Sequence, residues 1–425
     1  MRSGDASTHA RILRRFHRIA AEAREAGLSR IRVEDDVLRG DIVTVGGRPL
    51  VNFGSCAYLG LNLHPDLKDG AVRAIDRYGP VFSSSTAYTS VPLYSQLEES
   101  LEEIVGLPVV VPPTTTLGHL AAIPVLVGVG DAIVVDAQAH SSVHLAVQQV
   151  SGQGIPVRVV AHNDMPALDH ALEDLCEVHD KVWYLADGVY SMQGDVLPSS
   201  DLVERLDRFP NLWAYIDDAH GFGWRGEHGR GLVLDEIGPH DRVIVAASLA
   251  KSFGSGGAVI VFPERELADR VQLTGGTLTF SGPVHPAELG AAVASAEIHL
   301  SDLHRELVSR LMEQIDLMRE TITRLQLPVA TLDRTPIWFM RVGGGDDAVE
   351  VARRMMKDGF YLNLARFPAV PINENGLRFT NTLYQSHDQI VSMLEALGAN
   401  LDEVTGGIDV SVDLTAEPAY ETTSS

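Results

Sequence analysis

The chain has 425 residues, 45% of them apolar, enough for a sizeable core and for more than one domain. Lys and Arg number 34 against 57 Asp and Glu, a net charge of -23 and the opposite of the balance that a nucleic-acid binder carries. The two cysteines, Cys56 and Cys176, leave no room for a disulfide framework or a CxxC pair and fit a reducing compartment, the cytoplasm.

The N-terminal run "HARILRRFHRIAAEARE" is basic and helical, with Ile12, Phe16 and Ile19 on one face. It lacks the apolar core of a signal peptide, and Glu22 and Glu25 interrupt its basic face. A helix packed on its own protein or on a partner subunit is therefore expected over a targeting or membrane-surface helix. No apolar run is long enough to span a bilayer. From Pro108 onward come the β-rich runs "PVVV", "AIVVD", "PVRVVA", "VWYLA", "LWAYID", "RVIVAA" and "GAVIVF". Helical segments such as "TLGHLAAIPVLVG", "SSVHLAVQQV", "PALDHALEDLCEV" and "SSDLVERLDRF" separate them. Strands alternating with single helices imply crossover connections and a mostly parallel sheet covered on both faces. After Pro286 the pattern changes to one long helical stretch, then "TPIWFMRVG", "DAVEVARRMMKDG", "GLRFTNT" and "SHDQIVSMLEALGANL". The expected organisation is an N-terminal helix and arm over 1–50, a large α/β domain over 51–289 and a smaller α+β domain over 290–400. The acid-rich segment 401–425 is expected as a disordered tail.

Sheets of this kind place ligands at the carboxyl ends of their strands. The residues just after four strands are His140 in "AQAHSS", Asp187 and Ser191 in "DGVYSMQGD", Asp217 and His220 in "DDAHGFG", and Ser248 and Lys251 in "SLAKS". Each alone has an ordinary explanation as a cap, a turn residue, a satisfied histidine or a solvated lysine. Together they describe a site. A lysine in a crowded, apolar place has its ammonium form disfavoured, so it can act as a nucleophile or base and form a Schiff base with an aldehyde. Serine hydroxyls and backbone amides can bind phosphate. A buried aspartate can hold a protonated ring nitrogen, and a histidine can stack on a flat ring. Those are the requirements of pyridoxal 5'-phosphate. The chain carries no complete dinucleotide fingerprint, Walker A loop, GxSxG elbow or HExxH helix, and its 16 histidines do not cluster at metal-ligand spacing.

The segments "RPLVNFGSCAYLGLNLHPDL", "YSQLEESLEEIVG", "AHNDMPALDHAL", "DGVYSMQGDVLP", "DDAHGFGWRGEHGRG", "SLAKSFGSGG" and "GLRFTNT" resemble the α-oxoamine synthases, a family of fold-type-I pyridoxal phosphate enzymes. The resemblance spans about residues 40–395. It implies a three-layer α/β/α large domain with a smaller α+β domain, and decarboxylative condensation of a small amino acid with an acyl thioester. By the same resemblance Lys251 would bind the cofactor covalently and move the substrate's α-proton. Asp217 would pair with the ring nitrogen, His220 with the phenolic oxygen, and His140 would stack on the ring. Ser191 would lie near the cofactor, Ser248 would bind its phosphate, and Arg378 would grip the amino-acid carboxylate as a fork. A homodimer with the active site at the interface is implied, with Ser281 placed toward the partner's phosphate site.

Three departures stand out. Cys56, followed by Ala57, replaces the family's usual asparagine, which helps to hold the carboxylate. Thr114, Thr115 and Thr116 replace its Ser-Gly-aromatic phosphate loop. The segment "SSSTAYTSVPLYSQLEE" lacks the usual arginine and glycine. A working cofactor site with a divergent substrate pocket is expected, and another reaction of the same cofactor (amino-group transfer, a lyase reaction or a non-decarboxylating condensation) stays open. A non-catalytic partner subunit is disfavoured because Lys251 and Asp217 are kept.

Overall fold

The computed structural model describes residues 3–371 and 374–406. Most of the expected tail, 407–425, lies outside the described residues. The chain divides into two compact units: Cys56–Ser191 with Asp195–Leu311, and Met1–Ser55 with Met192–Gly194 and Met312–Ser425.

The first unit is built on a seven-stranded sheet. From one edge its order is Val109–Val110, Ala258–Val261, Val243–Ser248, Leu212–Asp217, Val182–Asp187, Ala132–Asp136 and Val157–Val160. The last five of these run parallel, and Ala258–Val261 is antiparallel to both of its neighbours. Alternate residues enter different cores. Val134, Tyr184, Ala214, Ile216 and Val245 pack into one apolar cluster, while Ile133, Trp183, Tyr215, Ile244 and Ala246 pack into another. This two-residue alternation with both faces buried makes the sheet the middle of three layers, and it explains why its strands read as unbroken apolar runs.

Helices Pro65–Tyr78 and Pro286–His299 cross at two glycines. A Cβ on Gly290 would stand 2.2 Å from the Gly70 carbonyl oxygen, so only glycine allows this approach. The stretch that reads as one long helix after Pro286 is two, Pro286–His299 and Asp302–Leu325. The break falls at Leu300 and Ser301, where the Ser301 hydroxyl bonds back to the Ile298 carbonyl at 2.7 Å. Serine and aspartate favour such local bonds over a continuing helix.

The second unit holds a three-stranded antiparallel sheet in the order Ile337–Gly343, Asn375–Thr380, Asn363–Ala365. Helix Gly345–Lys357 belongs to it, as does helix His387–Thr405, whose start is closed by a Ser386–Gln389 capping box. No helix among the described residues is long and apolar enough to cross a membrane.

Candidate active site

Four parallel strands end on polar residues at one edge of the sheet: Asp136, Asp187, Asp217 and Ser248. Asp187 and Asp217 are Cα partners in register, so two buried carboxyls stand on adjacent strands. Burial alone would raise both pKa values. For Asp217 burial is outweighed by the charge and hydrogen bond of His119, then by Lys251 and His140, and its pKa falls to about 2. Asp187 is pushed well up, by burial first and then by the Asp217 charge, although its Oδ1 accepts the His140 backbone N–H at 2.9 Å.

Lys251 is half-buried in the turn after Val243–Ser248. It acts on Asp217, Asp187 and His140 alike through its charge, which brings all four groups into one neighbourhood. The small residues that follow Lys251 have a steric reason. Gly254 has φ +83°, and a Cβ there would sit 2.7 Å from the backbone nitrogen of Asn62. The Ser248 hydroxyl is buried and accepts the Ala250 N–H at 3.2 Å.

His140 caps helix Ser141–Ser151, and its Nδ1 accepts the Ser142 N–H at 3.3 Å. The residue as a whole is exposed. Desolvation lowers its pKa, Asp217 opposes this and Lys251 adds to it, so the charged ring is disfavoured. His220 is buried, and its Nδ1 lies 2.7 Å from the hydroxyl of Tyr58. Thr115 and Thr116 are half-buried at the start of helix Thr115–Leu126, and the Thr114 hydroxyl is spent capping it on the Leu117 N–H at 3.1 Å. Ser191 is half-buried in the loop after Val182–Asp187, and Cys56 is half-buried. The Ser281 hydroxyl donates to the Thr277 carbonyl at 2.5 Å. Arg378 is buried on the central strand of the second unit's sheet, opposite Phe339 and Asn363.

Two buried side chains, His119 and Tyr58, and the half-buried His162 escape sequence reasoning. His119, fully buried, bridges Asp217 and the Tyr215 hydroxyl. Tyr58 orients His220. His162 joins Asp136 at 3.2 Å and Asp195 at 2.6 Å, and Asn163, at φ 51°, donates its N–H to Asp136 at 2.8 Å. The only advance signals were a lone histidine in an apolar helix and the triplet "HND" after a strand.

The set fits pyridoxal phosphate on its own chemistry. A buried carboxylate suits a protonated ring nitrogen, an imidazole suits a flat ring, and hydroxyls with backbone amides at a helix N-terminus suit a phosphate. Fold and site together define the fold-type-I pyridoxal-phosphate-dependent transferases. The model for "Aminotransferase class I and II" matches residues 48–394. The 8-amino-7-oxononanoate synthase of Maricaulis maris is 32% identical over 367 residues, 85% of this chain and 90% of that protein. That of Chromobacterium violaceum is 33% identical over 361 residues, 84% of this chain and 90% of that protein. The serine palmitoyltransferase of Bacteriovorax stolpii is 27% identical and covers 83% of each chain. Among solved structures, the serine palmitoyltransferase of Sphingomonas wittichii superposes with TM-score 0.83 at 24% identity, covering 94% of this chain and 100% of that one. The chain belongs to the aminotransferase class I and II family and, within it, to the α-oxoamine synthases.

Proposed function

We propose that the enzyme condenses a small α-amino acid with an acyl thioester, releasing carbon dioxide and the free thiol and forming an α-aminoketone. The carbon–carbon bond formed joins the amino acid's α-carbon to the acyl carbonyl. The bonds broken are the thioester C–S bond and the α-carbon–carboxyl bond. The observation that carries the reading is the pair of buried carboxyls in register at the sheet edge, Asp187 and Asp217, the second hydrogen-bonded to His119, with Lys251 in the turn after the next strand.

Bound pyridoxal phosphate supplies an aldehyde that takes amines covalently and a cationic ring that stabilises an adjacent carbanion. The chain's own residues do the rest. Lys251 tethers the cofactor and then moves the α-proton of the amino acid. Asp217 holds the proton on the ring nitrogen. His220, oriented by Tyr58, hydrogen-bonds the phenolic oxygen. His140 would stack on the cofactor ring and exclude water from that face. Ser248, Thr115 and Thr116 bind phosphate, with Ser191 near the cofactor and Ser281 serving a partner subunit's site. Arg378 receives the amino-acid carboxylate, and Cys56 shapes that subsite where an asparagine is usual. The same reading takes the enzyme as cytoplasmic, supported by a chain with only two cysteines, and as a homodimer, supported by its family.

The test is to incubate holoenzyme with amino acids and acyl thioesters in pairs, following thiol and carbon dioxide together. The proposal expects equimolar release of both with at least one pair. Amino-group transfer or α,β-elimination without thiol release would replace it with another reaction of the same cofactor.

A further inference from the structure

We infer that His119 is a positioning residue that fixes the Asp217 carboxylate for the cofactor's ring nitrogen. The inference deepens the proposed function and rests on its assignment of Asp217. His119 has no exposed surface, and both its ring nitrogens are engaged. Nε2 lies 2.9 Å from Asp217 Oδ2, and Nδ1 lies 2.9 Å from the Tyr215 hydroxyl. An ionised carboxylate only accepts hydrogen bonds, so Nε2 carries the proton and donates it. Tyr215, with its ring edge-on to the imidazole, fixes the other nitrogen and so the ring's rotation. Tyr215 and Asp217 are two residues apart on one strand and therefore share the face of the sheet that His119 packs against.

The Asp217 carboxylate then has defined remaining valences. Oδ1 takes the Ala219 N–H at 3.1 Å and Oδ2 takes His119, and the carboxylate keeps acceptor capacity for a further donor. His119 also ties two parts of the site together. It stands four residues after Thr115 on the same face of helix Thr115–Leu126. One rigid helix thus carries the phosphate-binding hydroxyls at its N-terminus and the clamp on Asp217 one turn later. The other titratable groups acting on the pair are Lys251 in the turn after Val243–Ser248, His140 at the start of Ser141–Ser151, and Asp187 on the neighbouring strand.

The test uses holoenzyme and reads the pH at which the cofactor's visible band titrates, with kcat and KM for the amino acid. In His119→Phe the ring nitrogen holds its proton less well. A less positive ring binds the neighbouring proton more tightly, so the midpoint moves to higher pH by about half a unit or more. The kcat should fall about tenfold with KM changed less than about twofold, as expected of a charge-assisted hydrogen bond lost behind the reacting group. His119→Gln, which keeps an N–H donor, should return both toward wild type. If the phenylalanine variant does not fold, Tyr215→Phe carries the test and should move the midpoint in the same direction by less. A midpoint and kcat unmoved in every folded variant would overturn the inference. A wild-type holoenzyme without a Lys251-dependent visible band would instead overturn the cofactor assignment on which it rests.

Discussion

Asp217 and Asp187 are the same residue type, on adjacent strands, at the same register position, yet their pKa values are pushed in opposite directions. The difference lies in their partners. Asp217 has an imidazole donor and Asp187 has a backbone amide. Asp217→Asn keeps the size and loses the charge, so folding should survive while turnover drops roughly a hundredfold or more. Circular dichroism and steady-state rates would check this, and near-wild-type turnover would refute the electrostatic role. His162 makes a separate prediction. Burial opposes its charge, but hydrogen bonds to Asp136 and Asp195 win, and its pKa rises to about 10. A raised pKa stabilises the fold fully below the unfolded value near 6.5, and this contribution is lost as pH rises toward about 10. The stability gap between wild type and His162→Phe, read by urea unfolding, should therefore be widest near pH 6 and narrow by pH 10. An equal gap at both pH values would show that the pair contributes packing alone.

At the scale of elements, backbone approach governs two features. Helices Pro65–Tyr78 and Pro286–His299 touch through Gly70 and Gly290, whose backbones leave no room for a methyl group. Gly290→Ala should force the helices apart and cost about 1–3 kcal/mol, the usual range for overpacking, seen as a lower urea midpoint. An unchanged midpoint would mean that the crossing relaxes freely. The second feature is the placement of chemistry immediately after strands. This much was legible in advance, because β-branched runs announce the strands and the first polar residue after each run is the one delivered to the edge. The break between Pro286–His299 and Asp302–Leu325 was not legible, since apolar periodicity continues across it and only Ser301 and Asp302 hint at a stop. His119 was hidden for a different reason. Its meaning depends on Asp217, 98 positions later, and nothing local separates a clamp from a satisfied core histidine.

For the whole molecule, the family resemblance and the strand-end reading agree because they draw on the same residues, Asp187 through Lys251. The departures at Cys56 and Thr114–Thr116 lie outside that block. The first falls at the proposed substrate-carboxylate subsite, the second at the proposed phosphate loop of the cofactor. A spectral titration with each amino acid should therefore find a narrow choice of donor, one or two amino acids perturbing the visible band, and equal responses from all would contradict a shaped pocket. The central claim is that one amine, Lys251, holds the cofactor. Borohydride reduction of the holoenzyme followed by peptide mapping tests it most directly. The account predicts a single stable phosphopyridoxyl adduct on the peptide containing Lys251, absent from Lys251→Ala. An adduct on another lysine, or none in a protein that still turns over, would contradict it.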